Sequence, residues 1–91
     1  MPTVRFTRHL ARYFPNLGDN IAVSGETVAQ VVARLDQMHP GLAAYIVDDT
    51  GALRRHVNIF LNQELIADRQ QLQDPVADAD QLYIFQALSG G

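Results

Sequence analysis

Val28, Val31, Val32, Leu35 and Met38 recur at i, i+3, i+4, i+7 and i+10, the apolar stripe of one α-helix. No other stretch has a comparable helical period, so one helix must pack against segments that alternate in another way. Gln30, Arg34 and Gln37 occupy its outer face. Thr27 and Gln30 have capping-box spacing, in which the hydroxyl accepts from a first-turn amide and the later side chain reaches back. This spacing predicts a helix start near Val28. His39-Pro40-Gly41 supplies both stop signals, because proline disfavours helical geometry before it and glycine tolerates a left-handed turn. The helix should end near Met38.

The rest of the chain reads mainly in twos. Thr3-Val4-Arg5-Phe6-Thr7 alternates as a half-buried strand with Val4 and Phe6 inward. Residues 9–19, holding Pro15, Asn16 and Gly18, read as a connecting loop, and Ile21-Ala22-Val23 as a second strand antiparallel to the first. Beyond the helix, residues 42–46 suggest a short helical turn and Asp48-Asp49-Thr50-Gly51 a surface turn. Val57, Ile59 and Leu61 then alternate with Asn58 and Phe60 in a third long strand. Residues 62–81 are turn-rich, with Leu65 and Ile66 in a short edge strand, Leu72 and Val76 as apolar anchors, and Asp78-Ala79-Asp80 as a polar turn. The last strand, 82–87, puts Leu82 and Ile84 on one side and Tyr83 and Phe85 on the other. This order predicts an α+β roll with one main helix across a mixed sheet of four to five strands. One helix covers one sheet face, and the other must meet water or a partner.

Composition removes whole classes of function. A chain of 91 residues with 47% apolar and 19% charged residues supports a single domain with one core. It contains no cysteine, which excludes a disulfide framework, a thiolate zinc site, an iron–sulfur cluster and a cysteine nucleophile on this chain. All seven basic residues are arginines, so Schiff-base chemistry and lysine acceptors are excluded too. The arginines are scattered and the net charge is −3, which argues against nucleic acid. No apolar run has signal-peptide or membrane-spanning length, so the expectation is a cytoplasmic protein with no membrane partner. His9, His39 and His56 lack metal-ligand spacing, and Asp74, Asp78 and Asp80 lack that of a calcium loop, so no metal is expected and the aspartates read as solvated turn acids. Ser24 and Ser89 have no base nearby in sequence. With no catalytic set, the chain is not expected to be an enzyme.

The remaining feature is the close of the sequence, Leu82-Tyr83-Ile84-Phe85-Gln86-Ala87-Leu88-Ser89-Gly90-Gly91. With glycine at about 7% of average composition, a pair in the last two positions occurs in about one chain in 200 by chance. A frayed tail or a domain boundary would account for it. So would a tail built to thread a narrow channel, since residues without Cβ present the thinnest backbone. Four residues from Leu88 reach at most roughly 14 Å. An α-carboxylate, with a reference pKa of about 3.3 to 3.7, is ionised and a poor electrophile at neutral pH, so acyl chemistry on it requires activation by a partner that binds nucleotide.

The Thr27-Val28 helix start, Val57-Asn58-Ile59-Phe60-Leu61-Asn62, the acidic turn Asp78-Ala79-Asp80-Gln81-Leu82 and the closing Ala87-Leu88-Ser89-Gly90-Gly91 together resemble the ubiquitin-like sulfur carriers of the MoaD/ThiS family. The resemblance implies a β-grasp domain over residues 1–87 and a flexible tail over 88–91. It also implies that an E1-like adenylating enzyme, using ATP and Mg, adenylates Gly91. A sulfur donor then forms a thiocarboxylate, which passes its sulfur to an acceptor enzyme. Gly91 would react, Gly90 would occupy the channel, Leu88 and Ser89 would form the stem, and the carrier itself would bind no cofactor. The segment from Thr50 to Ile59 looks most like CysO-type carriers, favouring cysteine or another sulfur metabolite as product. Gln86-Ala87, where molybdopterin carriers often have Pro-Pro, makes molybdopterin the second choice and leaves thiamine open. Phe60, Tyr83 and Phe85 share the parity opposite to the aliphatic residues, so they either dock a partner or pack beneath residues 62–81. Arg54 and Arg55 could meet acidic partner groups. The competing functions are a protein modifier conjugated through Gly91 and a non-covalent interaction module.

Overall fold

A computed structural model describes residues 1–7, 14, 17 and 20–86. The alternating segments form one sheet of five described strands: β1 (Thr3–Phe6), β2 (Ile21–Ala22), β3 (Val57–Leu61), β4 (Glu64–Leu65) and β5 (Gln81–Gln86). Their spatial order is β2-β1-β5-β3-β4. β1 runs antiparallel to β2, and β3 antiparallel to both β4 and β5, while β1 and β5 pair in parallel. The last described strand therefore lies at the centre of a mixed sheet, as in a β-grasp roll. Two helices are described, α1 (Val28–Met38) and α2 (Ala43–Ile46).

α1 begins and ends where its capping residues direct. The Gln30 N–H donates to Thr27 Oγ1 at 3.2 Å, and Gln30 Oε1 accepts from the Glu26 N–H at 2.8 Å, one residue ahead of the expected donor. At the far end His39 donates its N–H to the Leu35 carbonyl, Gly41 adopts φ +95°, and Asp36 Oδ1 accepts from the Gly41 and Ala43 amides. Val28, Val31, Val32 and Leu35 are buried against Val4, Val57, Ile59, Leu82 and Ile84 in one core. Met38, expected on the same stripe, is 41% exposed. At 3.6 residues per turn it sits about 70° from the mean direction of the other four, and the helix ends there.

The connection between β4 and β5 closes the helix side. Leu72 and the half-buried Asp74 accept from the Ala29 and Val28 amides at 2.8 and 3.1 Å, satisfying two first-turn donors of α1. Leu72 is 2% exposed although its φ is +56°, so burial holds a left-handed conformation that a bulky residue rarely adopts. Two aspartates expected to be solvated are instead structural. Asp74 accepts from the Ala67 and Asp68 amides, and Asp80 from the Ala77 amide and the Asn62 side chain. A carboxylate near free backbone donors gains more by joining them than by remaining in water alone. No helix among the described residues is long and apolar enough to cross a membrane.

Candidate functional site

Residues directly opposite one another on paired strands point to the same side of a sheet. The registers Phe60↔Leu65, Phe60↔Tyr83 and Arg5↔Tyr83 thus draw one line, Leu65–Phe60–Tyr83–Arg5, across four strands on the face away from α1. Asn58↔Phe85 lies beside it, towards residue 87. The rings pack on one another: Phe60 and Tyr83 centroids are 6.3 Å apart at 30°, and Tyr83 meets Phe85 at 6.1 Å and 61°. The Arg5 guanidinium carbon stands 5.6 Å from the Tyr83 centroid, in cation–π reach. Leu65 is 56% and Phe85 36% exposed, with Phe60 and Tyr83 half-buried between them. The buried members of residues 62–81, Ile66, Leu72 and Val76, join the core rather than these rings, while Asn62, Gln63 and Gln81 border Phe60 and Tyr83.

The charges are segregated. Asp36, Asp48, Asp68, Asp74 and Asp80 each accept at least one backbone N–H. The Thr50 hydroxyl holds the Asp48 carboxyl below the usual carboxylate range. The Gln71 amide does the same for Asp68, and the Ala77 amide for Asp80. Among the described residues the one ion pair joins the Met1 ammonium to Asp78 at 4.0 Å, with both groups exposed. Arg5 therefore keeps an unneutralised charge on the open face of an acidic protein.

Two other arginines serve the scaffold. Arg54 donates from Nε to the Ala44 carbonyl at 2.8 Å, and Arg55 is exposed. Arg69 donates to Asn58 Oδ1, the Arg54 carbonyl and the Val57 carbonyl at 2.8, 2.8 and 3.0 Å, fixing the entry to β3 beside the aromatic face. Its partners lie 11 to 15 positions away in sequence, so no local pattern announces it.

Leu88, Ser89, Gly90 and Gly91, together with Ala87 and His9, lie outside the described residues. β5 ends at Gln86, the last described residue. Among the described residues no three His, Asp or Glu side chains are grouped as a metal site requires.

A family profile described as the ThiS family matches residues 12–91. Sulfur carrier protein CysO of Mycobacterium tuberculosis is 31% identical over 74 residues, covering 79% of this chain and 80% of that protein. The crystal structure of the Amycolatopsis orientalis BexX/CysO complex contains a chain similar at a TM-score of 0.85 and 26% identity, with full coverage of both chains. SAMP1 of Haloferax volcanii, a small archaeal modifier protein, is similar at a TM-score of 0.77 and 28% identity, covering 99% of this chain and 98% of its own.

Proposed function

This chain belongs to the ThiS family of ubiquitin-like sulfur carriers, and on that premise we propose that it carries sulfur on the carbonyl carbon of Gly91. The observation that supports this reading is that the family match runs through residue 91 and so includes Ser89-Gly90-Gly91. Its relatives are carriers rather than catalysts, and the chain is a protein co-substrate.

An E1-like partner uses ATP and Mg to transfer AMP to the Gly91 carboxylate, releasing pyrophosphate. A sulfide-level donor adds to the acyl carbon and expels AMP, leaving a thiocarboxylate with no change in sulfur oxidation state. In the acceptor enzyme the sulfur displaces the leaving group of an activated carbon to form a thioester, and hydrolysis of its acyl–sulfur bond returns the carboxylate and releases the product as a thiol. Gly90 and Gly91 admit a narrow channel because neither bears a Cβ. Leu88 and Ser89 link them to β5, while Phe60, Tyr83 and Phe85 hold the domain on its partner. Similarity to CysO favours cysteine or another sulfur metabolite over molybdopterin as the product.

The test is intact-mass spectrometry after incubation with the adenylating enzyme, ATP, Mg and sulfide. Replacing one carboxylate oxygen by sulfur adds about 16 Da. Oxidation of Met1 or Met38 adds nearly the same mass, so the gain must be localised to the 87–91 fragment. Absence of a gain in that fragment refutes the reading. The likeness to SAMP1 supports a second reading, conjugation through Gly91. It predicts isopeptide adducts to other proteins in lysate instead.

A further inference from the structure

We propose that the depression beside Arg5 on the open sheet face receives a carboxylate side chain of the activating enzyme, and that Arg5 selects that partner. This rests on the carrier reading and specifies the chemistry of its docking face. The depression is lined by Arg5, Phe60, Asn62, Gln63, Gln81 and Tyr83. Arg5 is the one charged residue among the described residues of this lining. The Asn62 amide is engaged, giving Nδ2–H to Asp80 Oδ1 and accepting the Gln81 N–H at Oδ1. The side-chain amides of Gln63 and Gln81 make no hydrogen bond among the described residues and can turn their N–H groups inward.

Of the acids near this rim, Asp80 already accepts an N–H at each oxygen, from Asn62 and from Ala77, and Glu64 shares a neighbouring depression with Asn62, Gln63 and Gln81. Glu64 lies opposite Leu61 on β3, at the parity that faces α1. The Arg5 guanidinium carbon lies over the Tyr83 ring, 5.6 Å from its centroid, at the edge of the apolar band, and the ring does not neutralise it. An apolar band bounded by a guanidinium without an acidic partner among the described residues and two free amides complements a hydrophobic surface carrying one aspartate or glutamate. A like-charged surface would leave Arg5 desolvated and opposed.

The experiment measures ATP–pyrophosphate exchange by the adenylating enzyme as a function of carrier concentration and salt. It compares the parent chain with Arg5→Ala and Arg5→Lys, with thermal unfolding as the check that both variants are folded. Arg5→Ala is expected to raise the KM for the carrier by about ten-fold, leave kcat unchanged and flatten the dependence of KM on ionic strength. Arg5→Lys is expected to restore the salt dependence and recover part of the affinity, because it keeps the charge and loses the planar fork. A KM for Arg5→Ala within two-fold of the parent, or a raised KM with the parent's salt dependence, overturns the subsite while leaving the carrier reading standing. If the parent chain itself supports no exchange, both fall.

Discussion

At the scale of single residues the aspartates act as turn staples. Asp68 accepts from the amides of Gln70, Gln71 and Gln73. Those bonds favour the ionised form in the folded chain, so its carboxyl titrates below the usual range there and within that range when unfolded. Between the two values the unfolded chain binds more protons, and stability rises with pH. The Asp68 contribution is therefore complete above the unfolded value, about pH 4, and is lost as pH falls towards the folded one. Urea midpoints measured from pH 7 to pH 2 should be lower for Asp68→Asn at neutral pH and fall less steeply in acid. Equal acid slopes would show that Asp68 does not staple its turn. Gly25 makes a different residue-scale point: a Cβ there would stand 2.9 Å from the Val31 nitrogen, a restriction that belongs to the packed fold and to no local motif.

At the scale of elements, what depends on near neighbours was legible in the sequence. Thr27 and Gln30 mark the start of α1, and Val57, Ile59 and Leu61 show their common face by period two. Removing the cap in Thr27→Ala should cost about 1 kcal/mol, read as a lower denaturation midpoint with an unchanged m-value. What depends on distant neighbours was not legible. Leu72 looks like an ordinary apolar anchor, yet it takes φ +56° because its carbonyl must meet the Ala29 amide while its side chain enters the core. Arg69 looks like one more scattered arginine until β3 places Asn58 and two carbonyls around it. The aromatic face was visible as parity, whereas its line with Arg5 and Leu65 required the registers that only strand order supplies.

At the scale of the whole molecule, one side of the sheet carries the core and the other carries Phe60, Tyr83 and Phe85. Stability and docking should therefore separate. Phe60→Ala combined with Phe85→Ala should leave the far-ultraviolet circular dichroism spectrum unchanged while raising the KM for activation by ten-fold or more, as truncation of aromatic anchors does. An unchanged KM would assign docking to another surface. The position of β5 between β1 and β3 has a consequence for biosynthesis. Until residues 81–86 are available, the preceding chain has two separate ribbons, β2-β1 and β3-β4, with no strand to join them. A copy that lacks residues 81–86 therefore leaves the two ribbons unjoined and has no assembled sheet face to offer.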